Sequence, residues 1–286
     1  MSATGPILVF GRSGQVATEL AARAPVIALG HEACDLRCPG AAEAAIAAHA
    51  PRIVINAAAF TGVDAAETER AAANRLNAGA PGEMARACAA RGLPFLHVST
   101  DYVFDGLGTL PWDETMTPAP CNAYGASKLA GEGAVQDAGG SWAILRTSWV
   151  FSAHGTNFVK TMLRLSETRD QLSIVADQVG GPTPAADIAA ALLEMGRQMA
   201  EGRAGGLYHF AGAPAVSWAG FAREIFARAG RAVSVNEIAT DAYPTPATRP
   251  RNSRLDCRQI AADFGIDPPD WRAGLAAVLA QLEETA

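Results

Sequence analysis

Lysine is nearly absent from this chain: of 23 basic residues only Lys128 and Lys160 are lysine, and the remaining 21 are arginine. Arginine keeps its proton and presents a rigid fork, whereas lysine is a compact charge whose pKa shifts readily. Either lysine therefore stands out. Basic charge is also in deficit, with a formal net charge of −6 and a pI near 5.4. With no block of like charges, this argues against a nucleic-acid surface. No apolar run approaches the ~18 residues of a membrane span. The opening Met-Ser-Ala-Thr-Gly-Pro has no basic region and does not read as a signal peptide. The five cysteines, at 34, 38, 88, 121 and 257, are odd in number and scattered. That fits reduced thiols in a cytoplasmic protein. His31 lies near Cys34 and Cys38, but no second half-site pairs with them, so zinc is not expected.

What is present suffices for one large domain or two smaller ones: 286 residues, 49% apolar and 18% charged. Ile7-Leu-Val-Phe10 reads as a buried strand, closed by Gly11, after which an amphipathic helix runs through Arg23. The pattern Gly11-x-x-Gly14-x-x-Ala17 in that setting is a dinucleotide fingerprint. Gly11 allows the tight turn, Gly14 the approach of a pyrophosphate and Ala17 close helix packing. Arg12, Ser13, Gln15 and Val16 complete the candidate phosphate loop. Val26 to Leu29 is a second strand, ending in Gly30-His31 without the carboxylate that would repel a 2′-phosphate. With Arg12 nearby, NADPH is favoured and NADH stays possible. Asp35 and Leu36 are placed at the adenine edge.

Strands are predicted at Arg52–Asn56, Leu93–Ser99 and Trp142–Arg146, with helices between them. The helix from Glu67 to Arg91 carries an irregularity near Gly79-Ala-Pro-Gly82, where proline removes a donor. Such alternation implies a doubly wound parallel sheet, with ligands beyond the carboxyl ends of its strands. Ala57, Ala58 and Ala59 at one such end would let a flat cofactor lie against backbone. Thr100 stands at another. Tyr124 and Lys128 are four apart on a predicted helix and share a face. A cation beside a phenol lowers its pKa, so Tyr124 is expected to exchange a proton near neutrality. Trp149 is open to two readings, core or ligand wall. Arg249, Arg251 and Arg254 form either a phosphate clamp or a solvated loop.

Together these features resemble the extended short-chain dehydrogenases/reductases. Several stretches narrow the likeness to the dTDP-4-dehydrorhamnose reductase family. They are Gly-Arg-Ser-Gly-Gln near the start, Val63-Asp-Ala-Ala-Glu67, Ser99-Thr-Asp-Tyr-Val-Phe104 and Tyr124-Gly-Ala-Ser-Lys-Leu-Ala-Gly-Glu132. Arg146-Thr-Ser-Trp-Val150 and Pro244-Thr-Pro-Ala247 with Arg249-Pro-x-Asn-Ser-Arg-Leu-Asp256 add to them. The resemblance implies a Rossmann-like α/β sheet, residues 1–150, and a smaller C-terminal α/β substrate-binding region, 151–286, with 172–210 partly returning to the sheet. It implies reduction of a dTDP-4-keto sugar by a nicotinamide cofactor, with Thr100, Tyr124 and Lys128 catalytic and Tyr124 and Lys128 also holding the cofactor. Val63, Asp101, Tyr102, Trp149 and Arg249 would contact the sugar nucleotide.

Some members dimerise around magnesium. Glu19 is kept here, but Pro184-Ala-Ala186 stands where a glutamate is expected, so no metal is expected and monomer or homodimer both stay open. A sugar-nucleotide epimerase or dehydratase of the same superfamily is the alternative, though Thr100 is followed by Asp101-Tyr102 rather than an acidic pair. A non-catalytic regulatory subunit is a third reading, against which the complete Thr100, Tyr124 and Lys128 set weighs.

Overall fold

A computed structural model describes residues 5–284. The first half alternates strand and helix: β1 (Ile7–Phe10), α1 (Gln15–Arg23), β2 (Val26–Leu29), α2 (Ala41–His49), β3 (Ile53–Asn56), α3 (Arg70–Asn74), α4 (Ala80–Ala89), β4 (Phe95–Thr100), α5 (Ala123–Asp137) and β5 (Trp142–Thr147). There follow β6 (Val150–Phe151), α6 (Phe158–Ser166), β7 (Gln171–Val175), β8 (Val179–Gly180), β9 (Thr183–Pro184), α7 (Ala185–Ala200) and β10 (Leu207–His209). The last elements are β11 (Val216–Ser217), α8 (Trp218–Arg228), β12 (Ser234–Ile238), β13 (Asn252–Ser253), α9 (Arg258–Phe264) and α10 (Trp271–Glu284).

Six strands form the central sheet in the order β10-β5-β4-β3-β1-β2, every pair parallel. β1 and β3 are buried along their whole length, as a parallel sheet covered on both faces requires. Period-two alternation sends Ile7, Val9, Ile55 and Leu145 toward α1, α7 and α9. It sends Leu8, Phe10, Val54 and Ile144 toward α2, α4 and α5. The strand order reverses between β1 and β3, and the crevice at their carboxyl ends is where such sheets bind ligands.

The helix predicted for Glu67 to Arg91 is broken. α3 gives way to a π turn at Arg75–Gly79 before α4 begins. Proline's ring crowds the carbonyl four residues back; for Pro81 that is Asn77, inside the π turn. A third apolar cluster lies outside the sheet, where Phe151, Val159, Leu172, Phe221, Phe226, Trp271 and Leu275 pack α6, α8 and α10 over β7 and β12. Sequence reading does not anticipate β12, a half-exposed edge strand in this cluster, the seven-residue α9 that packs on the central sheet, or the two-residue strands β8, β9, β11 and β13. Among the described residues no helix is long and apolar enough to cross a membrane.

Candidate active site

At the β1–β3 crevice the backbone does the work. Gly11 has φ +112°, and a Cβ on it would come within 3.2–3.3 Å of the Ala57 and Ala58 backbone. Gly14 caps α1 with no side-chain hydrogen bond, and a Cβ there would meet nothing within 4 Å. The first N–H groups of α1 lack intrahelical partners, as at any helix start, and no side chain caps them. Gln15 is tied by 2.9 Å hydrogen bonds to Ser152 and Asn157, Val16 is buried, and Ser13 is exposed. Arg12 is exposed and lies against Gly30, where a Cβ would press on its side chain at 3.3 Å. Ala57, Ala58 and Ala59 are half-buried at the end of β3. Farther out, Asp35 holds Arg37 at 2.8–3.1 Å, and Arg37 reaches His31 at 2.7 Å. Leu36 is buried in the core with Leu8 and Phe10, so its side chain does not line this edge.

At the end of β4 side chains take over. α5 starts at Asn122, whose Oδ1 accepts the Gly125 N–H at 2.8 Å. Glu67 Oε1 accepts the Ala123 N–H at 2.8 Å. Two glycines let this helix press on its neighbours: a Cβ on Gly125 would collide with the Tyr102 carbonyl, and one on Gly131 with the Asn77 carbonyl. Asn77 in turn bonds both Phe60 backbone groups and the Ser127 hydroxyl, at 2.8–3.0 Å.

On the inward face of α5, the Tyr124 phenol lies close enough to the Thr100 hydroxyl to feel it. Thr100 Oγ1 also donates to Asp101 Oδ1 at 3.1 Å and accepts the Tyr102 N–H at 3.2 Å. Tyr102 meets Tyr124 edge-on, with ring centroids 5.7 Å apart. Lys128 is 2% exposed; its Nζ donates to the Val98 carbonyl at 2.7 Å and lies 3.3 Å from His97 Nε2. Burial lowers its pKa to about 8, against the pull of Glu132. Burial likewise pushes Tyr124 up to about 12, the Thr100 hydroxyl opposing and the Asp101 charge adding. The expected lowering of the Tyr124 pKa by Lys128 is thus not met. The shared helix face is real, but the amine is turned to β4, and desolvation of the phenol dominates. Asp101 is 2% exposed and raised to about 7 by burial, with the Ser253 and Thr100 hydroxyls opposing. Its Oδ2 has no bond of full hydrogen-bond geometry.

Arg249 pairs with Asp64 Oδ2 at 2.8 Å, and its charge is felt at Tyr102. Val63, next to Asp64, is half-buried. Arg251 pairs with Asp241 at 3.0 Å, and Arg254 with Asn252 at 2.9 Å, so neither is idle on the surface. Trp149 has φ +49° and stacks at 3.5 Å and 9° on Trp218, which packs against the third cluster. The structure thus gathers Thr100, Asp101, Tyr102 and Tyr124, with Lys128 one turn along, while Asp35 and Leu36 lie at the far β2 edge. Sequence reading missed the polar partners beneath them: Asn56, His97, Glu132 and Arg146, all buried. Glu132 takes both Arg146 (2.6 and 2.9 Å) and Ser99 (2.5 Å). Among the described residues no group of three or more His, Cys, Asp or Glu gathers as metal ligands do.

Comparison with known proteins gives the family. The family model described as RmlD substrate binding domain matches residues 5–284. The chain is 42% identical over 276 residues to the dTDP-4-dehydrorhamnose reductase of Sinorhizobium fredii, covering 93% of each. It is 46% identical over 283 residues to that of Burkholderia thailandensis, covering 93% of this chain and 95% of the relative. A crystal structure of dTDP-4-dehydrorhamnose reductase from Bacillus anthracis, in complex with NADP, superposes with a TM-score of 0.91 at 32% identity, over 97% of this chain and 99% of the other. With a match running over nearly its whole length, this chain belongs to the dTDP-4-dehydrorhamnose reductase family.

Proposed function

We propose that this chain reduces the 4-keto group of dTDP-4-dehydro-L-rhamnose to give dTDP-L-rhamnose, the last step of dTDP-rhamnose biosynthesis. NADPH is the expected reductant, with NADH possible; NADP is the dinucleotide in the Bacillus anthracis relative. The observation that carries the reading is the placement of the Tyr124 phenol beside the Thr100 hydroxyl at the end of β4, with Lys128 one turn along the same helix. The residues present fit a dinucleotide. Gly11 makes the tight turn against the Ala57 backbone, Gly14 borders open space that a pyrophosphate could fill, Ala57 to Ala59 offer a flat wall, and Arg12 is free to meet a 2′-phosphate. When bound, the cofactor supplies the hydride.

The chain's own residues handle the charge that develops on the ketone oxygen. A phenol pushed up to about 12 is protonated at neutral pH and so has a proton to give as charge develops on the oxygen. Thr100, beside that hydroxyl, would turn its one proton from Asp101 to the oxygen and add a second donor there. Asp101, Tyr102, Val63 and Arg249 are read as the sugar-nucleotide side, with Trp149 on the facing wall. We read residues 1–150, with part of 172–210, as the cofactor domain and the rest of 151–286 as the substrate side. We place the protein in the cytoplasm as a monomer or homodimer, working without a metal; the unbridged thiols and lack of a spanning helix among the described residues support that placement.

The test follows absorbance at the nicotinamide band with dTDP-4-keto-6-deoxy sugars and each dinucleotide in turn. Oxidation is expected only when the ketosugar is present. Tyr124→Phe should lower kcat by about 10²–10⁴ with cofactor binding largely kept. Near-full activity in that variant would remove Tyr124 from the mechanism.

A further inference from the structure

Asn56 and His97 have no part in the chemistry above, yet both are buried, His97 against Lys128 and Asn56 against His97. Asn56 closes β3. Its Oδ1 accepts the Ala58 N–H at 3.1 Å, which turns its Nδ2 toward His97 Nδ1 at 3.0 Å. An amide nitrogen only donates, so His97 Nδ1 must be the acceptor. Burial, with Lys128 beside it, holds His97 well below the usual histidine range, so the ring is neutral and has one proton to place. That proton sits on Nε2, which points at Lys128 Nζ across 3.3 Å. An ammonium there would set donor against donor. A neutral amine has a lone pair to receive the N–H, while still donating to the Val98 carbonyl at 2.7 Å.

We propose that His97, oriented by Asn56, is a positioning residue that offers its Nε2–H to the Lys128 lone pair and so keeps the neutral amine populated in the working pH range. The inference deepens the function proposed above and rests on Lys128 belonging to that site. Its consequence is that the charge Lys128 presents to Tyr124 and to a bound ribose changes within that range.

The other charged groups around Lys128 do not remove the effect. Glu132 on the same helix favours the ammonium, but its carboxylate is neutralised by Arg146 from β5. Asp101 lies past the end of β4 and bonds Thr100. On the outer side of α5, Glu67 holds Arg70 and the Ala123 N–H, Glu83 holds Arg75, and Arg86 is exposed.

The lysine shortage makes the test direct. Protein labelled with ¹³Cε-lysine, without ligand, should give two resonances, from Lys128 and Lys160, titrated by NMR. Lys128 should show a midpoint near 8. His97→Phe removes the N–H and should raise that midpoint by about one unit, a tenfold change in the ionisation constant. In Asn56→Asp the carboxylate only accepts, which forces the His97 proton onto Nδ1 and makes Nε2 an acceptor; the rise should be larger still. Independently, ¹⁵N spectra of histidine-labelled native protein should show buried His97 as the Nε2–H tautomer. An Nδ1–H tautomer in the native protein, or an unmoved Lys128 midpoint in folded His97→Phe, overturns the proposal. The native spectrum decides the matter if neither variant folds. None of these readouts needs turnover. A shifted lysine in a protein that reduces no ketosugar would therefore sink the proposed function alone, and an ordinary lysine in an active enzyme would sink this inference alone.

Discussion

The two ends of the candidate site are built on opposite plans. Where α1 meets β1, recognition is left to backbone: Gly11 lets the turn close against Ala57, Gly14 borders open space, and the flanking Arg12 and Ser13 are exposed. Where α5 meets β4, recognition is left to side chains, and Lys128, Glu132, His97 and Arg146 are all at most 2% exposed. A phosphate carries its own charge and needs only unpaired N–H groups and room. A proton donor needs its acidity set, and burial among fixed partners sets it. One end is therefore defined by atoms left out, the other by polar atoms buried at a cost in stability.

The largest effect expected from breaking this contrast lies in the buried ladder. Glu132→Gln leaves the Arg146 guanidinium without its charge partner and faces an amide N–H₂ toward Nη2, where the carboxylate oxygen now sits at 2.6 Å. Removing one member of a buried pair typically costs about 3–5 kcal/mol. Urea unfolding should show a loss of that order. The double variant Glu132→Leu with Arg146→Met should recover most of it, because an apolar pair leaves no buried charge. Equal stability of native and single variant would mean the pair is solvated in solution.

The same contrast explains what was legible in the sequence. The β1–α1 cradle lies within seven consecutive residues, Gly11 to Ala17, so its spacing alone is diagnostic. The ladder joins residues far apart: His97 and Lys128 are 31 positions from each other, Ser99 and Glu132 are 33. A faint signal existed. His97 and Ser99 alternate along a strand that should otherwise be apolar, and Lys128 and Glu132 repeat four apart on α5, so two polar pairs were set to meet. The Tyr124 pKa went astray for a related reason, since helical spacing reports which residues share a face but not how far water reaches them. Pro81 signalled the break in the long helix, but the distortion falls before it, at the carbonyl its ring crowds. β12 and α9 were missed because one is a half-exposed edge and the other too short to show a period.

A smaller effect separates the glycines of the cradle. Gly11→Ala puts a Cβ on a residue at φ +112°, 3.2 Å from the Ala57 carbonyl carbon. Strain of this kind costs about 1–3 kcal/mol. Gly14 has φ −71° and open space around it, so Gly14→Ala should leave stability within about 0.5 kcal/mol of native. Any loss of dinucleotide affinity in Gly14→Ala, measured by calorimetry, then reports the ligand and not the fold. Equal destabilisation by both substitutions would show that the cradle is shaped by packing alone.

The last contrast concerns how each end responds to pH. Asp35, at the cradle edge, is exposed and held down to about 2 by Arg37, so its ionised form is the one the fold favours. Asp101, beside the ladder, is buried and held up to about 7, so the fold favours its protonated form. Between the ordinary aspartate value near 4 and that raised value, the native state binds more protons than the unfolded chain. Stability must then fall as pH rises through this window and level off above it. Asn mimics the protonated acid in shape and cannot ionise. Asp101→Asn should therefore match native near pH 4 and exceed it by pH 7.5, with urea midpoints measured across that range. Parallel midpoint curves would mean that water reaches Asp101 in solution and that the ladder's seclusion stops short of the Thr100 hydroxyl.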